Sequence, residues 1–185
     1  MAKESILNEK RSPVDVYFES RLSPPFYFSG AIVAGGAVVC DMIGLPVKDI
    51  DVFFYGKRSE AEQSLQRTIG QMVLEGWTPV ALPVESKDGK AYLHLRVVMK
   101  PPPLVAVPEV DLIWNESWET IDDVLYGFDL TCCQVGITDT GRLIGTPEGL
   151  RSLMTRTFWV TSNAWPTTPA RVQKYIERGF REVAS

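Results

Sequence analysis

The sequence predicts an α+β fold built on a mixed central β-sheet, and three observations carry that reading. Short apolar runs of strand character at Ala31 to Ala34, Asp49 to Tyr55 and Glu109 to Trp114 are interspersed with stretches of helical period. Lys87-Asp88-Gly89-Lys90 sits between two further strand-like runs, and its Asp-Gly pair suits the turn of a β-hairpin. The chain of 185 residues is 45% hydrophobic and 23% charged, proportions that exclude a disordered, collagen-like or coiled-coil chain and suit one domain over residues 1–185.

Each element has a local reason. Residues 1–12 are polar and read as flexible, after which Pro13 can open a helix to about Leu22 with Val14, Phe18 and Leu22 on one face. Pro24-Pro25 stops it. Ala31 to Ala34 is a short buried strand, Gly35-Gly36 a tight turn, and Ala37 to Ile43 a short helix ended by Gly44 and Pro46. Ser59 and Glu62 have capping-box spacing, and Ala61, Leu65, Ile69, Met72 and Val73 recur at helical intervals until Gly76. Thr78 to Val84 and Ala91 to Met99 form the hairpin, with the single His94 in its second strand as a half-exposed surface residue. Pro101-Pro102-Pro103 and Pro108 make a stiff connector. Beyond the strand at Glu109, Ser117 caps a helix with Trp118, Ile121 and Leu125 inward, and Leu130 to Ile137 returns as a strand. Thr146-Pro147 opens a short helix, and Thr168-Pro169 a last one reaching about Phe180.

Charge and composition narrow the function. Nineteen basic against 23 acidic residues give a net charge of −4, which excludes a general nucleic-acid coat, since such a coat needs a basic excess to displace counterions. The longest apolar stretch, Ala31 to Val38, is too short to cross a membrane, and the N-terminus has no apolar signal core, so a soluble, cytoplasmic protein is expected. Cys40, Cys132 and Cys133 suit neither a disulfide framework nor a zinc site and read as reduced thiols buried on a strand.

Asp49 and Asp51 are i and i+2 on one strand, so their carboxylates share a face about 6.6 Å apart at Cα. Such a pair repels itself unless a cation lies between, and hard oxygen donors suit Mg²⁺ or Mn²⁺. Asp111 is a third carboxylate inside another apolar run. It reads either as a ligand completing a two-metal site or as a buried acid satisfied by backbone amides or an arginine. Gly35-Gly36 lies between a strand and a helical turn, where backbone amides can grip a phosphate, and 12 residues, 37 to 48, separate it from the paired aspartates. Arg171, Lys174 and Arg178 form one stripe on the last helix beside an apolar side of Val172, Tyr175, Ile176 and Phe180, readable as a phosphate-binding surface or as a solvated face.

The segment AGGAVVCDMIGLPVKDIDVFF resembles the signature of the DNA polymerase β-like nucleotidyltransferase superfamily, in particular the head domain of tRNA nucleotidyltransferases and bacterial poly(A) polymerases. FDLTCCQVGI, LIGTPEGLRSLM and RVQKYIERGF are similar to later segments of that head domain in the same order, so the resemblance spans about residues 30 to 180. It implies a nucleotidyltransferase-like fold and metal-dependent transfer of a nucleoside monophosphate from an NTP, ATP or CTP, to a hydroxyl on an RNA end, a protein or a small molecule. It further implies Asp49, Asp51 and Asp111 as metal ligands and catalytic carboxylates, Gly35 and Gly36 as the triphosphate turn, and Asp129 and Thr131 as part of the nucleotide pocket. The basic stripe Arg171, Lys174 and Arg178 would then neutralise triphosphate charge. Among small stand-alone members of the superfamily, the chain looks most like the phage-encoded ones. With no further helical domains after its last helix, it is not expected to rebuild the CCA end of tRNA.

Two departures remove positive charge: Val39-Cys40 stands where the family carries Arg-Asp, and Gly127-Phe128 where it often carries Arg-Arg. These losses, with Trp159 and Trp165 in a Ser/Thr/Pro-rich segment expected to be exposed, support an alternative: a catalytically weak nucleotide-binding or protein-interaction module on the same fold.

Overall fold

A computed structural model of the chain describes residues 13–16, 22, 28–81 and 94–184. Among them, Val14–Val16 (β1), Ala31–Ala34 (β2), Asp49–Phe54 (β3), Thr78–Ala81 (β4), His94–Lys100 (β5), Glu109–Asn115 (β6), Val135–Thr138 (β7) and Leu143–Gly145 (β8) form one eight-stranded sheet in the order β1-β8-β7-β2-β3-β6-β5-β4. The pairing is antiparallel except between β3 and β6. The sheet is therefore mixed, and the α+β expectation is met. Thr157–Phe158 (β9) and Arg181–Glu182 (β10) make a separate parallel pair. The helices are Gly36–Met42 (α1), Arg58–Leu74 (α2), Ile121–Tyr126 (α3), Pro147–Thr155 (α4) and Thr168–Glu177 (α5), with a 3-10 turn at Thr131–Cys133.

Strand alternation splits the interior into two cores. Ala31, Val33, Ile50, Val52, Phe54, Val110, Leu112 and Trp114 point to one face, where Val38 of α1 and Leu65 and Met72 of α2 cover them. Ile32, Ala34, Phe53 and Ile113 point to the other, closed by Val124 and Leu125 of α3. Phe54 and Trp114 are at most 1% exposed, and each such side chain contributes about 1.5–3 kcal/mol of apolar burial. Asp49, Asp51 and Asp111 have the parity of Phe53 and Ile113, so they stand on the face of the smaller core. The larger core thus anchors two strands whose opposite face carries the acids.

Several expectations are corrected. Val14–Val16 is a strand paired with β8 rather than the start of a helix, and the rest of that segment lies largely outside the described residues, as do residues 1–12 and the hairpin turn. The α2 N-cap is Lys57 with no side-chain bond, so Ser59 and Glu62 form no capping box, and Val73 is 45% exposed. Thr120, not Ser117, caps α3: it accepts from the Asp123 N–H while Asp123 reaches back to the Thr120 N–H, and Ser117 bonds Asn115 instead. The strand expected from Leu130 begins only at Val135, because Thr131–Cys133 closes a 3-10 turn. Accordingly the three thiols are free and buried in α1 and this turn rather than on a strand. Thr146 caps α4 as expected, accepting from Gly149 N–H. On α5 Thr168 does not cap; its hydroxyl serves Asp129, and the N-cap is Thr167.

Candidate nucleotidyl-transfer site

The parallel pairing of β3 and β6 sets Asp51 directly beside Asp111 in register, with Asp49 opposite Glu109. Neighbouring strands lie about 4.8 Å apart, so the Asp51 and Asp111 carboxylates share one patch. Asp49 is exposed, Asp51 half-buried and Asp111 only 8% exposed. Burial first, then the charges of Asp111 and Asp49, push the Asp51 carboxyl up to about 7, against the pull of Arg96 and Arg171.

Arg96 is the residue that sequence reasoning missed. Its Nη2 and Nε donate to the same Asp111 oxygen, Oδ2, at 2.6 and 3.2 Å. Asp111 Oδ1 is buried with no hydrogen-bond partner among the described residues. Of the two open readings of Asp111, the arginine-satisfied acid is thus realised on one of its oxygens. The signal was present: one cation in the apolar run LHLRVVM and one acid in the apolar run VDLIW suit opposite-charge pairing on adjacent strands.

Gly35 and Gly36 are glycine for reasons of approach. Gly35 has φ +74°, and a Cβ there would lie 2.8 Å from Phe128 Cε1, whose ring meets Phe53 edge to face at 5.3 Å. The Gly35 N–H is spent on the Val135 carbonyl (3.0 Å), so the expectation of two free amides narrows to Gly36, which has no backbone acceptor among the described residues. A Cβ on Gly36 would lie 3.6 Å from Tyr175 Oη, which places α5 against this turn.

Asp129 and Thr131 are each 1% exposed, and their polar atoms are engaged inside the protein. Asp129 Oδ2 accepts from Thr168 Oγ1 at 2.6 Å, and Oδ1 lies 3.0 Å from Arg171 Nη1, a charge contact without the alignment of a hydrogen bond. Thr131 shares a 2.8 Å bond with Ser152 Oγ and accepts from Trp159 N–H. The stripe on α5 divides accordingly: Arg171 is tied to Asp129, Lys174 is exposed, and the Arg178 guanidinium lies 5.2 Å from the Tyr175 ring centroid. Arg178 Nη1 is buried with no hydrogen-bond partner among the described residues. Burial raises the Cys40 thiol while Arg178 and Lys174 pull it down, so both cations act on α1. On the apolar side Tyr175 and Phe180 are buried and Val172 packs on the core, but Ile176 is 44% exposed. Trp165 is 42% exposed as expected, whereas Trp159 is half-buried.

Among the described residues no three His, Cys, Asp or Glu side chains are grouped to cage an ion. Mg²⁺ rarely uses such a cage: one or two carboxylates, waters and substrate phosphates suffice. Two hard carboxylates at Asp49 and Asp51 with an unpartnered Asp111 oxygen beside them fit that requirement.

A family model for Gabija anti-defense 2 proteins matches residues 14–156. The chain belongs to this family. No curated protein matches this family member. Its structure resembles that of a CCA-adding enzyme in complex with CTP, with a TM-score of 0.57 at 20% identity over 83% of this chain and 36% of that one. It also resembles the Thermotoga maritima CCA-adding enzyme complexed with tRNA, with a TM-score of 0.53 at 20% identity over 84% and 35% of the two chains. A tRNA nucleotidyltransferase complexed with a primer tRNA and an ATP analogue gives 0.52 at 18% identity over 83% and 43%. The likeness is one of fold, and the chain spans 35% to 43% of the length of these enzymes. The fold is nucleotidyltransferase-like, with the head-domain architecture that the sequence resemblance implies. No helix among the described residues is long and apolar enough to cross a membrane.

Proposed function

We propose that the chain transfers a nucleoside monophosphate from an NTP to a hydroxyl acceptor with a divalent cation bound, the acceptor oxygen giving up its proton and bonding the α-phosphorus as the α–β phosphoanhydride bond breaks and pyrophosphate leaves, and that this transfer counters Gabija defence. The observation that carries the chemistry is the register of β3 and β6, which sets Asp49, Asp51 and Asp111 on one face beside the Gly36 turn's strand. Asp49 and Asp51, with Asp111 beside them, would hold Mg²⁺ or Mn²⁺. When bound, the cation supplies charge neutralisation to the triphosphate and acidifies the acceptor hydroxyl. Lys174 and Arg178 add positive charge along α5, and the Gly36 amide offers a donor to a phosphate oxygen. Asp129 acts on the nucleotide pocket by fixing Arg171, whose charge reaches Asp51. The CTP, ATP analogue and tRNA bound by the similar structures support an NTP, ATP or CTP, as donor and RNA as one class of acceptor.

A second reading, a nucleotide-binding or protein-interaction module without turnover, is favoured by the Arg96 clamp on Asp111 and by the exposed Trp165. Infection of cells carrying the Gabija system separates the two. With transfer as the active principle, the wild-type chain restores phage growth and Asp51→Asn, expressed at equal level, does not. Equal protection of the phage by both proteins overturns transfer in favour of the module.

A further inference from the structure

We propose that Arg96 stands in for one divalent cation, so that the acidic face binds a single Mg²⁺ or Mn²⁺ per chain. The inference rests on the nucleotidyl-transfer reading above and concerns how its charge is balanced. A pair of catalytic metal ions about 3.5–4 Å apart needs carboxylate oxygens free to face both. Here Asp111 Oδ2 receives two N–H groups of one guanidinium, at 2.6 and 3.2 Å, a charge-assisted contact at the short end of the range.

The sheet builds this contact rather than a chance surface rotamer. In the β5–β6 register Val98 lies opposite Asp111 and Arg96 opposite Ile113, so Arg96 is one diagonal step from Asp111 on the same face. The field of Arg96 also reaches Asp51 across β6, so its charge serves two of the three acids. A guanidinium does not lose its proton in proteins, which makes this positive charge permanent. Arg96 thus already offsets one of the acidic charges that a second divalent ion would otherwise balance. A second ion would meet an occupied oxygen and a fixed like charge.

The test is a titration of the full chain with Mn²⁺ alone, counting bound ions from the loss of the free-ion spin-resonance signal. The proposal expects one Mn²⁺ on the wild type, one on Arg96→Lys, and two on Arg96→Gln. It also expects a return to one on the Arg96→Gln/Asp111→Asn double variant, which removes both charges and so keeps the face free of a buried unpaired carboxylate. Two ions on the wild type overturn the proposal and leave the transferase reading standing. One ion on both wild type and Arg96→Gln removes the role given to Arg96. No binding by wild type or any variant removes this proposal and the metal-dependent transfer together. If Arg96→Gln does not fold, the wild type and Arg96→Lys decide: one ion on each supports the proposal, and two on either overturn it.

Discussion

At the Asp51 carboxyl, burial and two neighbouring acids raise the folded pKa to about 7 from 3.8, and the sign of the consequence follows. The native state binds the extra proton between those two values, so this group's contribution to stability is greatest below pH 4, declines as pH rises towards 7, and is flat above. Asp51→Asn removes that penalty. Without divalent cations, the variant is expected to be more stable than wild type at pH 8, by up to about 4 kcal/mol, and equal near pH 4. Urea unfolding at the two pH values checks this, and an unchanged gap at both would contradict it. Gly35→Ala meets two obstacles, a φ of +74° and the Phe128 ring 2.8 Å away, so a loss of roughly 1–3 kcal/mol is expected. Adding Phe128→Leu should recover only the steric part. The paired aspartates and the Gly-Gly turn were legible from spacing alone. Arg96 on Asp111 was legible only as a possible opposite-charge pair of two apolar runs, because the register that joins two residues 15 apart lies in no local window.

At the scale of elements, the α5 stripe that reads as uniform in sequence is three different residues in space. Lys174 is exposed and should act through charge: Lys174→Ala is expected to raise KM for NTP several-fold with little change in Tm. Arg171 is bound to an Asp129 that is 1% exposed, so Arg171→Ala strands a buried carboxylate and should cost roughly 2 kcal/mol, visible in thermal unfolding. Equal behaviour of the two variants would return the stripe to a solvated face. The hydrophobic pattern made β2, β3 and β6 legible as short apolar runs and α2 legible by its helical period. It failed where pairing partners decide: Val14–Val16 is a strand only because β8 offers its edge, and β9 and β10 are two residues long. It failed also at the α3 cap, where Thr120 and Asp123 answer each other one turn later than Ser117 suggested.

For the whole molecule, a nucleotidyltransferase-like fold places three carboxylates on the thinly covered face of a sheet whose other face is the main core. Loss of the site charges should therefore leave the core intact, and Asp49→Asn and Asp51→Asn are both expected to fold while losing Mg²⁺-dependent stabilisation by NTP, a comparison that thermal shift with each of the four NTPs makes. Recognition of the fold was possible from motif order. Metal-dependent nucleotidyl transfer is checked by incubating the purified chain with each α-labelled NTP, Mg²⁺ and an extract of Gabija-bearing cells, and measuring label transferred to any RNA, protein or small molecule. Label transferred by the wild type is expected, abolished by EDTA and reduced at least 100-fold by Asp51→Asn. Transfer that survives EDTA and Asp51→Asn, or none from any NTP by a chain that binds Mn²⁺, would contradict metal-dependent transfer.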